Sequence, residues 1–108
     1  DAGLSGIIAT NTTIERTGLR TDAATVEAAG TGGLSGAPLK ARATAVLRLV
    51  REAVPAEFVV ISAGGVETAE DVRERLAAGA TLVQGYTGFL YRGPLWARQI
   101  NRGLARAR

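Results

Sequence analysis

Apolar residues along this chain follow two rhythms. Three short runs are continuously apolar: Ser5 to Ala9, Phe58 to Ser62 and Thr81 to Gln84, rich in Ile and Val and bounded by glycine or polar clusters. Runs of that kind predict strands of a parallel sheet buried on both faces. Between them the apolar positions recur every three or four residues. Leu39, Ala43, Val46, Leu47, Val50 and Val54 form one stripe, with Lys40, Arg48, Arg51 and Glu52 on other faces, and this predicts an amphipathic helix. After the second run, Thr68 and Asp71 have capping-box spacing, Val72 and Leu76 face inward, and Gly79 is placed to end a helix. After the third, Pro94 stands where a first helical turn accepts proline, and Trp96, Ile100 and Leu104 follow at spacings of four.

The order strand, helix, strand, helix, strand, helix predicts an α/β fold with a parallel sheet, either open and doubly wound or closed as a barrel. Three strands do not close a barrel, and a sheet this small leaves exposed edges. The chain also opens at Asp1, without Met, and enters a strand within a few residues. Together these features predict the C-terminal part of a larger domain whose other strands are N-terminal. One connection is unusual: Ile14 to Ala37 separates the first strand from its helix by about two dozen residues, against about 2 to 6 in ordinary βα loops. Loops of that length are lids or mobile segments, and this one carries the glycine-rich stretch "AAGTGGLSGAP", Ala28 to Pro38.

Composition narrows the chemistry. The 108 residues carry a formal charge of +3 with no cysteine and no histidine, so disulfides, thiolate metal sites and an imidazole base are all excluded. The basic residues are mixed with Glu and Asp, giving no nucleic-acid stripe. Their densest cluster, Arg98, Arg102, Arg106 and Arg108, falls in the last turns of the C-terminal helix, where cations oppose the helix dipole. No apolar run reaches the roughly 18 residues that span a bilayer. Chemistry here must come from hydroxyls, amides, carboxylates or a cofactor.

In parallel α/β folds ligands bind beyond the carboxyl ends of the strands. The three strand-to-helix junctions here are "ATNTT" with the glycine-rich loop, "SAGGV" (Ser62 to Val66) and "QGYTGF" (Gln84 to Phe89). All are polar or glycine-rich and nearly free of charge. Gly64 and Gly65, read as lying just before a helix, offer backbone donors to a phosphate, and Tyr86 with Thr87 adds an amide and a hydroxyl. Asn11 with its flanking threonines presents donor and acceptor edges suited to a flat heterocycle bearing alternating C=O and N–H groups. Each motif also has a plainer reading, the double glycine as a tight turn and Asn11 to Thr13 as a turn satisfying its own backbone. The long loop lacks the glycine spacing of a dinucleotide site, because Ser35 stands where its last glycine belongs.

Taken together, "IIATNTT" (Ile7 to Thr13), "GGLSGAPL" (Gly32 to Leu39) and "SAGGVETAEDVRERLAAGATLVQGYTGFLYRGP" (Ser62 to Pro94) closely resemble the C-terminal part of the quinone-dependent, class 2, dihydroorotate dehydrogenases. The resemblance covers essentially the whole chain. It implies the last three βα units of an FMN-containing (β/α)8 TIM barrel, with residues 1–108 a portion of one domain. The implied reaction oxidises dihydroorotate to orotate in pyrimidine synthesis, with a membrane quinone as electron acceptor. The implied location is the cytoplasmic side of the cell membrane, reached through an N-terminal segment not in this chain.

Carried over by motif, Thr10 contacts FMN, while Asn11 and Thr12 hydrogen-bond the pyrimidine. Gly36 and Gly65 approach FMN through backbone, and Tyr86 and Thr87 complete the phosphate site. The family's serine base and flavin-contacting lysine belong to earlier segments, so no catalytic base is assigned. Two departures stand out: Ser62-Ala63 where the family has Gly-Val, and Gly85 where it has a bulky aliphatic. The second predicts a loosened strand end. Rival readings are a class 1 FMN barrel that reduces fumarate or NAD, and a non-catalytic phosphate-binding module.

Overall fold

The computed structural model describes residues 2–107, so Asp1 and Arg108, the last member of the basic cluster, lie outside the described residues. Strands β1 (Gly6–Ala9), β2 (Val59–Ala63) and β3 (Leu82–Gln84) form one parallel sheet in that spatial order. Around it lie α1 (Ala23–Ala28), α2 (Lys40–Ala53), α3 (Ala69–Ala77), α4 (Thr87–Arg92) and α5 (Trp96–Arg106), with a single 3-10 turn at Ala37–Leu39. The predicted strands and the three long helices are all present. The third strand starts one residue later than expected because Thr81 pairs partly through its side chain. Its amide donates to the Val60 carbonyl at 2.8 Å, and its hydroxyl accepts from the Val60 amide at 3.1 Å.

The core sits on one side of the sheet. Leu47 of α2, Val60 of β2 and Ala80 form one buried cluster, while Val66, Val72, Trp96 and Ile100 form another, and Val83 packs against both. The expectation of a sheet buried on both faces does not hold among the described residues. Register places Ile8, Ile61 and Leu82 side by side on the opposite face, where Ile8 and Leu82 are each 58% exposed. An apolar face left uncovered is what the strands of a closed barrel present to its interior.

The inward face of α3 also differs from the prediction. Val72 is buried as expected, but Leu76 is 41% exposed, and the fully buried neighbour is Arg75. Periodicity by hydrophobicity missed it because a guanidinium is inward only when fixed acceptors await it. The capping box is present: the Thr68 hydroxyl accepts from the Asp71 amide at 3.2 Å, and the Asp71 carboxylate accepts from the Thr68 amide at 3.0 Å. Pro94 falls in the turn before α5 instead of its first turn, since α5 opens at Trp96.

Two short helices were not predicted. The first, α1, lies inside the long loop, where Asp22 caps it by accepting from the Thr25 amide at 2.9 Å. Thr13 and Leu34 exchange two backbone hydrogen bonds, of 3.0 and 2.7 Å, that close the loop at its base. Arg16 bonds the carbonyls of Thr13 and Gly32 across the same neck. The second, α4, begins at Thr87, inside the third junction.

Candidate functional site

Beyond the carboxyl ends of the strands lies a cavity of about 370 Å³. Its wall includes Thr10, Asn11, Thr12, Gly36, Gly65, Tyr86 and Thr87. All seven residues singled out from the sequence therefore meet in one place, together with Ser35, Gly64, Gln84 and Gly88. None of the residues lining it carries a charge. Larger hollows, of about 690 and 780 Å³, are formed entirely by residues 14–38 and reach no strand end; one of about 630 Å³ touches Thr10, Asn11 and Thr12 from the side of Glu15 and Arg42 but reaches neither of the other two junctions.

The first wall extends β1. Thr10 continues the pairing to β2, donating to the Ala63 carbonyl through its amide at 2.8 Å and through its hydroxyl at 3.3 Å; the Ala9–Thr10 peptide is cis. Next, the Asn11 side-chain oxygen accepts from the Thr12 amide at 2.8 Å. The turn reading of this motif is thus partly correct, and it leaves the Asn11 NH2 as the outward-facing half of the amide. Thr12 is held from behind by Gly33: a Cβ there would fall 1.9 Å from the Thr12 hydroxyl.

The second wall is the Gly64–Gly65 turn, with φ of 109° and 72°. Only glycine adopts this pair without strain. A Cβ on Gly65 would stand 2.5 Å from the backbone of Lys40, so the turn lies flat on the start of α2. The helix thought to follow immediately begins only at Ala69, and the amides at and just before its N-cap are already used. The Asp71 carboxylate accepts from the amides of Glu67 and Thr68 at 2.9 and 3.0 Å and pairs with Lys40 at 2.7 Å. The N-terminus of α3 is therefore capped internally, and the Gly65 amide, which bonds no other described group, is a donor open to the cavity it lines.

Around Asp71, burial alone raises the carboxyl's pKa. The Lys40 hydrogen bond, the two amides and the Lys40 charge overcome that and hold it below the ordinary carboxylate range. Burial lowers the proton affinity of the nearby Arg75 guanidinium, while Glu74 and Asp71 oppose the shift.

The third wall is the start of α4. Its N-cap, Tyr86, makes no side-chain cap bond, and the first amides of any helix lack intrahelical partners. Tyr86 is exposed and lines the same cavity as Thr87. Gly85 does not loosen this strand end as predicted. A Cβ at Gly85 would stand 2.4 Å from the Trp96 ring, and one at Gly88 would stand 2.7 Å from the Val66 carbonyl. The indole, anchored by its N–H to the Glu67 carbonyl at 2.7 Å, fills the space that a bulky residue at position 85 would need. Ser35 then ties the glycine-rich loop to α4, its hydroxyl 2.8 Å from that of Thr87. Sequence reading had weighed Ser35 only as a mismatch to a dinucleotide motif, although its place inside "GGLSG" was the available signal.

Residues 1–107 match the family model described as dihydroorotate dehydrogenase. The chain is 71% identical, over its whole length, to dihydroorotate dehydrogenase (quinone) of Clavibacter michiganensis subsp. michiganensis, and 70% identical to that of Leifsonia xyli subsp. xyli. It spans about a third of these relatives, 31% and 32% of their lengths. Among solved structures it resembles DHODH in complex with ferulenol from Eimeria tenella, with a TM-score of 0.85 and 40% identity. That match covers 97% of this chain and 27% of the other. It assigns the parallel sheet and its helices to part of an α/β barrel of the TIM type.

Proposed function

The chain belongs to the dihydroorotate dehydrogenase family, and we propose that the full-length protein oxidises dihydroorotate to orotate with FMN and delivers the electrons to a membrane quinone. In this reading residues 1–108 are the C-terminal portion of one FMN-binding barrel domain. The observation that carries it is the single uncharged cavity in which all three junctions meet.

The residues fit a flavin mononucleotide. Backbone donors at Gly65 and at the start of α4 suit its phosphate, in keeping with the phosphate sites built from the last βα loops of such barrels. Gly36, at φ 85° with no room for a Cβ beyond 3.3 Å from Thr87, brings backbone against the ring system. When bound, the flavin supplies a hydride acceptor. Thr10 contributes its remaining hydroxyl lone pairs to that group. Asn11, with its oxygen engaged by Thr12, donates through its NH2 to a pyrimidine carbonyl, and the Thr12 hydroxyl adds a second bond. No side chain in the cavity wall is a base at neutral pH, so this chain holds and orients the ring while proton removal falls to a residue elsewhere in the protein.

The quinone acceptor is supported by the names of the relatives, which specify a quinone, and the location at the cytoplasmic side of the cell membrane belongs to the same proposal as what the family resemblance implies. Among the described residues no helix is long and apolar enough to cross a membrane.

The test uses full-length protein carrying Asn11→Ala. Orotate affinity should fall with flavin content unchanged, and wild-type turnover should require a quinone in preference to fumarate or NAD. Unaltered orotate binding in the variant would favour a phosphate-binding module, and turnover with fumarate would favour a class 1 enzyme.

A further inference from the structure

Arg75, in the last turn of α3, is 1% exposed. Its guanidinium donates to three oxygens from three parts of the chain. Nη1 reaches the Ser62 hydroxyl at 2.9 Å, and Nη2 reaches the carbonyls of Gly64 at 2.8 Å and Lys40 at 3.1 Å. The nearby carboxylate of Asp71 is engaged by Lys40 and two amides. Arg75 is thus a buried cation spent on neutral acceptors. A buried charge is costly unless its donors are matched, so this arrangement calls for an account beyond packing.

The geometry of one peptide supplies it. The Gly64 carbonyl and the Gly65 N–H belong to the same planar unit and point in opposite directions. Both glycines sit at positive φ, and glycine has little steric preference there, so the plane is not held by its own side chains. Gly65 lines the cavity and Arg75 does not. A carbonyl anchored on Arg75 turns the N–H of the same peptide away from the arginine, and a charged donor on the oxygen also polarises that N–H.

We infer that Arg75 is a positioning residue that fixes the Gly65 N–H as an anion donor in the cavity. The same guanidinium locks the turn to Lys40, against which Gly65 lies, so two of its bonds define one surface. The inference deepens the flavin reading and rests on it.

The test compares FMN with riboflavin, which lacks the phosphate, on full-length apoprotein titrated by flavin fluorescence. Arg75→Met should lower FMN affinity about tenfold while riboflavin affinity changes less than about twofold, because a hydrogen bond backed by a charge is lost at the phosphate alone. Arg75→Lys, which can still reach the Gly64 carbonyl, should restore most of the preference for FMN. Equal loss for both ligands, the signature of a merely structural role, would overturn the inference, as would an unchanged ratio in the Met variant. If the Met variant does not fold, Ser62→Ala decides. It removes only the Nη1 bond and should leave the ratio intact, and a fall in the ratio would overturn the assignment to the Gly64 bond. Wild-type protein that binds flavin without preferring FMN would overturn the inference at its premise, and protein that binds neither ligand would overturn the flavin reading as well.

Discussion

The hydroxyls of Ser35 and Thr87 lie 2.8 Å apart, although 52 positions separate them in the chain. This contact joins the glycine-rich loop to the helix that opens the third wall of the cavity. Ser35→Ala should remove about 1 kcal/mol, the usual worth of a neutral hydrogen bond. The expected outcome in full-length protein is a several-fold weaker flavin affinity and a melting temperature lowered by no more than about 2–4 °C, measured by fluorescence titration and a melting curve.

Gly33 leaves room for Thr12 only because it has no side chain. Gly33→Ala should push the Thr12 hydroxyl out of place and weaken orotate binding by about tenfold, the scale of one lost or misdirected hydrogen bond. Flavin content should be preserved. Calorimetric titration of the flavin-loaded protein with orotate checks both halves.

Gly65 combines a positive φ with a Cβ position 2.5 Å from the Lys40 backbone. Both penalties apply to Gly65→Ala, and the obstacle is main chain that a rotamer change does not relieve. The substitution should destabilise the protein by more than about 1 kcal/mol and lower its flavin content. Thermal melting with an absorbance spectrum reads the two effects together.

Asp71 gives the stability of the site an acid limit. Its carboxyl is held below the ordinary value of 3.8, so its contribution is fully present above that pH and disappears as pH falls through the lower, folded-state value. Asp71→Asn should flatten that part of the acid limb and leave the alkaline side unchanged. Denaturation midpoints measured from pH 6 down to pH 3 test the sign, because a contribution that grew on acidification would contradict it.

The isolated 108-residue chain should show no dihydroorotate-dependent dye reduction, since no base lines its cavity. Measurable turnover by this piece alone would refute the assignment of proton removal to another part of the protein.

Much of this architecture is legible in the sequence. The strands and the long helices announce themselves through apolar runs and stripes, and the capping box at Thr68 through spacing alone. Six of the seven residues meeting in the cavity stand just beyond a strand's carboxyl end, a position that topology makes functional, whereas Gly36, in the long loop, is legible only through the family motif "GGLSG". What escaped was tertiary. Arg75 reads as a surface residue until the acceptors at Ser62, Gly64 and Lys40 are brought to it. Gly85 reads as a weakness until Trp96 fills the space beside it. The short helices α1 and α4 lack enough residues to show a period, and α1 depends on Asp22 for its cap and on the Thr13–Leu34 bridge to close its loop. Burial on both faces was inferred from strand composition, which does not reveal which segment supplies the cover.

Trp96 is the chain's single tryptophan, and its ring touches the inner side of Gly85 and Gly88 while their outer side borders the cavity. That position makes the indole a built-in optical reporter. A chromophore that absorbs where tryptophan emits, seated in the cavity beyond Gly85 and Gly88, would draw off its emission by energy transfer.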